Sequence, residues 1–358
     1  MQIVDKNITH AETLSKEFYL SNSIFNTAKE KIFAPSWQLI THSTLFGEVN
    51  VYPFTFLSDH LDEPLLITKN GEDFHCFSNV CTHRAHLVET QSCKTKKLRC
   101  RYHGRTFSLD GKFNSMPGFA KAENFPSPSD NLTRVPLMKW KDFIFVSLDK
   151  GIDITPVLKD IEKRIPNFPF SELIYNESSS DEWIIDAHWA LYCENYLEGF
   201  HVPFVHKGLA KELNLESYET IILENGTLQI GEGRENIPIL KNPESPNRNI
   251  YGLYYWIFPN LMLNFYKWGL SVNIVEPISS GQTRIRFLSF PMKSQTQPKA
   301  GGASLGKVEL EDQAVVLNVQ KGIKSRFYNM GRFSPEHETG VHYFQGLLAE
   351  TLNASVCS

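Results

Sequence analysis

The sequence has no apolar run approaching the ~20 residues that a membrane-spanning helix needs. Its opening, Met1-Gln2-Ile3-Val4-Asp5-Lys6, lacks the basic-then-apolar order of a secretory signal. Cysteine is sparse: six residues, at positions 76, 81, 93, 100, 193 and 357, show none of the regular spacing of a disulfide framework. Together these absences predict a cytoplasmic protein. A net charge of -4 leaves no excess of basic residues for nucleic acid. No Gly-x-Gly-x-x-Gly fingerprint is present, so the chain shows no dinucleotide site of its own. Internal repeats and low-complexity linkers are missing too. What remains is an ordinary globular composition, 41% hydrophobic and 21% charged. Its 358 residues are long for one domain and comfortable for two, each able to bury a core.

Two of the few cysteines fall into a pattern. The sequence reads Cys81-Thr82-His83, then sixteen residues, then Cys100-Arg101-Tyr102-His103. A structural zinc site presents its cysteines as one close pair and its histidines as another. Here the order alternates Cys, His, Cys, His. That suits two loops, each giving a thiolate to one iron and an imidazole to a second, which is the ligand division of a Rieske 2Fe–2S centre. Gly104 follows the second histidine, and Leu109-Asp110-Gly111-Lys112 reads as a tight turn after a short strand from Arg105 to Ser108. His75 and Cys76 lie in a strand pattern and Cys93 in the polar segment between the loops, so all three read as structural. His86 has no slot in a two-Cys, two-His set.

Around this motif the chain divides into three parts. Residues 1–33 read as a polar helical arm on the outside of the first domain. Residues 34–150 carry short apolar runs broken by Gly, Asp and Pro, among them 37–40, 49–52, 64–68, 73–77 and 143–148. Such runs predict a small antiparallel sandwich or barrel with the cluster loops at one end. Near Gly151-Ile152-Asp153-Ile154 the pattern turns helical and a second domain, 151–358, begins.

The second constellation lies in that domain, between Asp181 and His206. Ser178 to Asp181 offer N-caps, and Trp183, Ile184, Ala187, Leu191, Tyr192 and Asn195 recur at helical intervals, which predicts one helix through the segment. Glu198 and His201, three apart, share a face. His206 is five further on, about 140° off that face on an unbroken helix. Pro203 lies between the two and breaks such a helix, so the imidazoles can converge. A two-His site for a metal with open positions needs one carboxylate. From Val308 to Arg326, Val308, Val315, Val316, Val319 and Ile323 form an apolar stripe with Asp312 in its middle and Glu309 and Glu311 to the side. A carboxylate in that place is costly unless paired or metal-bound, which makes Asp312 the third ligand candidate. Taken singly, each histidine reads as a satisfied core side chain, and Asp312 as the partner of Arg326 or Arg332.

With both constellations on the page, the chain resembles the catalytic (alpha) subunits of the Rieske non-haem iron oxygenases. The segment Asn195-Tyr196-Leu197-Glu198-Gly199-Phe200-His201-Val202-Pro203-Phe204-Val205-His206 looks like their iron motif, and Glu311-Asp312 with Val319-Gln320-Lys321-Gly322 like their carboxylate segment. The chain departs from the family at Ala85, where many members have Gly, at Arg101, where many have Pro, and at Glu198, where many have Asp. The resemblance implies an α+β protein: an antiparallel β Rieske domain, then a helix-grip catalytic domain, its sheet wrapped on a long helix. It implies a 2Fe–2S cluster on Cys81, His83, Cys100 and His103, and mononuclear Fe(II) on His201, His206 and Asp312. It also implies a head-to-tail homotrimer in which Glu198 links His103 of one chain with His201 of the next. Electrons would come from a separate flavin/iron–sulfur reductase, so NAD(P)H enters only indirectly, and O2 and a small organic substrate complete the reaction. Phe258-Pro259-Asn260-Leu261-Met262 and Gly331-Arg332-Phe333-Ser334 look most like the choline monooxygenase and betaine-demethylase branch. That points to hydroxylation or oxidative demethylation of a quaternary ammonium compound, held by cation–π attraction to some of the aromatic residues from Tyr251 to Trp268. Aromatic-ring hydroxylation is the alternative, and a Rieske electron carrier without catalysis a more distant one.

Overall fold

A computed structural model describes residues 3–234, 240, 246–293 and 305–354; Cys357 lies outside them. The chain forms two compact units, Trp37–Gly151 and Met1–Ser36 together with Ile152–Ser358. Among the described residues no helix is long and apolar enough to cross a membrane.

The unit Trp37–Gly151 is built of short antiparallel strands: β1 (Gln38–His42), β2 (Val51–Phe56), β3 (Glu63–Asn70), β4 (Asp73–Ser78), β5 (Leu98–Arg99), β6 (Thr106–Phe107), β7 (Phe113–Ser115), β8 (Arg134–Val135), β9 (Leu137–Trp140) and β10 (Phe143–Val146). They form three sheets, in the orders β1-β10-β9, β2-β3-β4-β8 and β5-β6-β7. Val51, Leu66, Phe77, Leu98 and Phe107 make a common core, and Cys81 and Cys100 are buried in the same cluster. Burying a side chain of this size stabilises the fold by about 1.5–3 kcal/mol. Gly111, with φ +79°, turns the chain between β6 and β7; a Cβ there would lie 2.4 Å from the Phe77 ring.

The other unit is organised by one antiparallel sheet of seven strands: β11 (Asp181–Ile185), β12 (Leu213–Leu223), β13 (Gly226–Gly233), β14 (Ile250–Ile257), β15 (Leu261–Tyr266), β16 (Gly269–Ser279) and β17 (Gln282–Pro291). Their order is β11-β17-β16-β15-β14-β13-β12. Every residue of β15 is buried, so its central strands read as continuous apolar runs rather than alternating ones. The helices are α1 (Lys16–Leu20), α2 (Asn22–Ala28), α3 (Thr155–Arg164), α4 (Trp189–Tyr196), α5 (Val202–Val205), α6 (Leu209–Glu212), α7 (Leu305–Ile323) and α8 (Thr339–Asn353). The long helix α7 packs on α4, which also touches β16. This is the expected α+β arrangement.

The arm, residues 1–33, belongs to the same compact unit as Ile152–Ser358. Phe18, Tyr19, Phe25, Ile32 and Phe33 are all buried, within the same unit as α4 and α8. Tyr19 Oη donates to Glu194 (2.7 Å), Gln345 Nε2 donates to the same carboxylate (2.8 Å), and Gln345 accepts from Leu14 N. Burial raises the Glu194 carboxyl to about 7. The polar look of the segment concealed one aromatic face.

The single helix expected through 181–196 is also corrected. Residues 181–185 form β11, paired with Thr283–Phe287, and the helix starts only at Trp189. His188 is its N-cap: Nδ1 accepts from Ala190 N at 3.3 Å. Its ring sits among Phe18, Tyr19, Phe25 and Trp189, and burial pushes its pKa down to about 3, so the cap is neutral.

Candidate metal centres

The two loops of the first motif repeat one backbone pattern. Cys81 N donates to His86 O and Ala85 N to Cys81 O; Cys100 N donates to Arg105 O and Gly104 N to Cys100 O, all at 2.9–3.0 Å. Ala85 and Gly104 occupy equivalent positions and both have positive φ, +55° and +78°. Both loops are fastened to one residue. Thr82 Oγ1 donates to Asp130 O at 2.8 Å, and Arg105 Nη2 donates to Asp130 O and Oδ1 at 3.1 and 2.6 Å. Arg105 is 2% exposed, with Phe107, Phe113 and Phe125 within 5.7 Å of its guanidinium carbon.

The four candidate ligands group by type. The cysteines are buried, with Cys81 within hydrogen-bonding reach of Cys100, and burial raises the Cys81 thiol. His103 is exposed and His83 half-buried, their ring centroids 4.8 Å apart. A tetrahedral zinc would draw all four to one point. Separate pairs fit two irons, an inner one on thiolates and an outer one on imidazoles. His75 accepts from Arg134, Cys76 is buried in β4, and His86 leans on Tyr102, so none of them joins the set.

The second constellation converges more tightly. Helix α4 ends at Tyr196, residues 197–201 form an irregular link, and α5 starts a new turn with Pro203 in its first positions. Pro203 thus starts a helix rather than kinking one. Gly199 sits in the link because a Cβ would come within 2.7 Å of the Tyr218 ring. The result is that His201 Nε2 lies 3.1 Å from His206 Nε2, and Asp312 Oδ1 is 3.5 and 2.9 Å from those two nitrogens. Among the described residues this is the one group of three or more metal-binding side chains that converges. Donor–metal bonds of about 2.1 Å at right angles leave neighbouring donors about 3 Å apart, so the set fits one face of an octahedral ion.

The outer nitrogens are also held. Glu198 Oε1 accepts from His201 Nδ1 at 2.6 Å and its Oε2 from His201 N at 3.0 Å. Glu311 Oε2 accepts from His206 Nδ1 at 2.8 Å. Asn195 Nδ2 donates to Asp312 Oδ1 at 2.6 Å. Such partners fix the tautomer so that Nε2 presents its lone pair to a metal. Burial opposes a charge on His206, but Asp312 and Glu311 outweigh it and raise its pKa; a bound cation would take that proton's place. Neither Arg326 nor Arg332 pairs with Asp312; Arg332 donates to Thr9 O.

The sequence reading misplaced the faces of α7. Val319 is 43% exposed, whereas Glu309, Val316, Gln320 and Ile323 are buried. Spacing of three and four puts Glu309, Asp312, Val316, Gln320 and Ile323 on one inner stripe. Glu309, set to the side from sequence, thus lies on the inner stripe and lines the cavity, and Glu311, also set to the side, accepts from His206 Nδ1. A cavity opens over the triad, lined by Tyr196, Tyr218, Tyr251, Tyr254, Tyr266 and Glu309 among others.

The class follows from these two centres and the folds that carry them, and comparison with known proteins gives the family. Residues 37–126 match the Rieske [2Fe-2S] domain, and residues 170–354, more than half of the chain, match the ring hydroxylating alpha subunit (catalytic domain). The chain belongs to the ring-hydroxylating alpha-subunit family, the Rieske-type oxygenases, whose cofactors are a 2Fe–2S cluster and a non-haem iron and which take electrons from a reductase and oxygen from O2. It is 27% identical to the chloroplastic choline monooxygenase of Beta vulgaris over 96% of this chain and 77% of that one. It is 26% identical to the carnitine monooxygenase oxygenase subunit of Escherichia coli K12, over 96% and 95%. Its fold is similar to that of a solved quaternary ammonium Rieske monooxygenase described for carnitine oxidation by gut microbiota (TM-score 0.77, 23% identity, covering 98% of this chain and 100% of that one). It is also similar to the naphthalene 1,2-dioxygenase of Rhodococcus sp. (TM-score 0.73, 16% identity, covering 96% and 95%).

Proposed function

We propose that this chain is the oxygenase component of a system that hydroxylates or oxidatively demethylates a quaternary ammonium compound. The observation that carries the reading is the wall of the cavity above His201, His206 and Asp312. Tyr251 and Tyr254 each meet Tyr266 there edge to face, with centroids 5.8 Å from its ring, and Tyr196 and Tyr218 also line the wall. Ring faces attract a cation, by about 2 kcal/mol each when water is excluded. The choline and carnitine specificities of the two relatives agree with this.

In this reading Cys81, His83, Cys100 and His103 hold the cluster, and His201, His206 and Asp312 hold the iron. The iron, when bound, supplies the Lewis acidity and the redox change that O2 activation needs. The chain supplies the positioning. Glu198 and Glu311 keep a proton on each Nδ1, and Asn195 orients the Asp312 carboxylate. The tyrosine wall turns the ammonium group so that a carbon next to nitrogen faces the triad. A hydroxyl placed on a carbon bonded to nitrogen makes that bond labile, so an N-methyl group leaves as formaldehyde. Glu198, already on His201, would also reach His103 of a neighbouring chain; a head-to-tail homotrimer and a flavin/iron–sulfur reductase belong to this reading. So does a cytoplasmic location, in keeping with the free cysteines at 76, 81, 93, 100 and 193, although the plant relatives are chloroplastic. Division into a Rieske domain over 34–150 and a catalytic domain over 151–358 joined by the N-terminal segment completes it.

The test is a single turnover. Protein carrying both iron centres is chemically reduced, then mixed with O2 and a pool of quaternary ammonium compounds and aromatic acids, and products are read by mass spectrometry. A hydroxylated or demethylated ammonium compound is expected. A hydroxylated ring with the ammonium compounds untouched refutes the substrate class.

A further inference from the structure

Glu309 is a second carboxylate on the inner face of α7, one turn before Asp312. It is 8% exposed and lines the cavity. Each oxygen has one neutral donor: Tyr192 Oη gives a short bond to Oε2, and Asn273 Nδ2 donates to Oε1 at 3.1 Å. Asn273 is itself tied to Asn264 (3.3 Å) and through it to Tyr196 Oη (2.6 Å), so the group is fixed in place by the cavity wall. Among the described residues no Lys or Arg pairs with it. A buried carboxylate is costly unless a positive charge answers it. Burial, with the charge of Asp312 second, raises its pKa to about 7.

We propose that Glu309 is a specificity-determining residue: its carboxylate is the fixed countercharge that makes this cavity select cationic over neutral substrates of the same shape. The proposal rests on the quaternary ammonium reading and sharpens it. Tyrosine rings favour a cation over a neutral tert-butyl group of the same shape through cation–π attraction. A buried anion in the wall adds a further preference, because it attracts only the charged one. A competing role, in which Glu309 merely balances the charge of the metal site, predicts weaker iron binding and no change in ligand preference.

The experiment compares choline with its neutral isostere 3,3-dimethylbutan-1-ol by isothermal titration of protein carrying both iron centres. Wild type, Glu309→Gln and Glu309→Asp are used, with iron content measured on each. Wild type is expected to prefer choline. Glu309→Gln should lose about tenfold or more of that preference at equal iron content, and Glu309→Asp, which keeps the charge, should hold most of it. Equal preference in wild type and Glu309→Gln overturns the proposal while leaving the substrate reading in place. Iron loss without altered preference likewise overturns it, in favour of charge balance. A wild-type protein that fails to prefer the cation overturns the proposal and the quaternary ammonium reading together. Should Glu309→Gln fail to fold, Tyr192→Phe and Asn273→Ala, which each remove one donor from the carboxylate, must still shift the ratio.

Discussion

Replacing Glu311 by glutamine removes the charge that accepts from His206 Nδ1 while keeping the size of the side chain. Loss of a carboxylate behind a metal-binding histidine typically weakens metal binding by 10- to 100-fold. Where a given site falls in that range depends on how well water screens it. The Glu311 side chain is 30% exposed and that of Glu198 12% exposed, and Glu198 also accepts from a backbone N–H. Glu311→Gln should therefore lose about tenfold in Fe(II) affinity, about 1.4 kcal/mol, and Glu198→Gln nearer a hundredfold. The assay is competition with a calibrated chelator, on protein whose 2Fe–2S absorbance is unchanged. His206→Ala, which deletes a donor outright, sets the floor. Unchanged affinity in both glutamine variants beside a collapsed His206→Ala would refute the account of the outer nitrogens. Greater loss in Glu311→Gln than in Glu198→Gln would refute the argument from burial.

Three other predictions follow from the framework around the sites. Asp130→Ala removes the carboxylate that answers the buried Arg105 guanidinium, at a cost of about 3 kcal/mol or more, while the Asp130 backbone oxygen still accepts from Thr82 and Arg105; the thermal denaturation midpoint should fall with the cluster absorbance retained. Ala85→Gly relieves a left-handed residue and should stabilise the Trp37–Gly151 unit by roughly 1 kcal/mol in chemical denaturation. His188 stays neutral when folded down to about pH 3, while the unfolded chain takes its proton near pH 6.5, so its burial stabilises the fold at neutral pH and this is lost as pH falls. Relative to His188→Gln, wild type should lose about 2 kcal/mol between pH 7 and pH 5 in urea titrations, and parallel pH profiles would contradict it.

Both candidate ligand sets could be picked out of the sequence because metal chemistry restricts residue types and spacing so narrowly, and the structure brings His201, His206 and Asp312 together. Cys-x-His and Cys-x-x-His, and His201 with His206, are readable without knowing any neighbour. The strands of the Trp37–Gly151 unit were legible for a similar reason, since Leu65-Leu66-Ile67 and Phe143-Ile144-Phe145 leave little choice. Residues 181–196 were misread because Trp183, Ile184 and Ala187 satisfy a helical period, whereas pairing with β17 decides the outcome. Local pattern lost to a tertiary contact there. The face of α7 was misread for the opposite reason. Val319 looked inward because it is apolar, while the inner stripe is partly polar: Glu309, Asp312 and Gln320 answer buried groups on other elements. The N-terminal segment failed on the same ground, its anchoring through Tyr19, Glu194 and Gln345 spanning more than 300 residues.

The most direct test of the central claim counts iron. Wild type, His201→Ala, His206→Ala and Asp312→Ala would be purified anaerobically, and total iron read by mass spectrometry beside the 2Fe–2S absorbance of the same sample. The account predicts one iron beyond the cluster in wild type and its loss from all three variants, with the cluster spectrum intact. An extra iron that survives in the variants, or a wild type whose iron is all in the cluster, would contradict it.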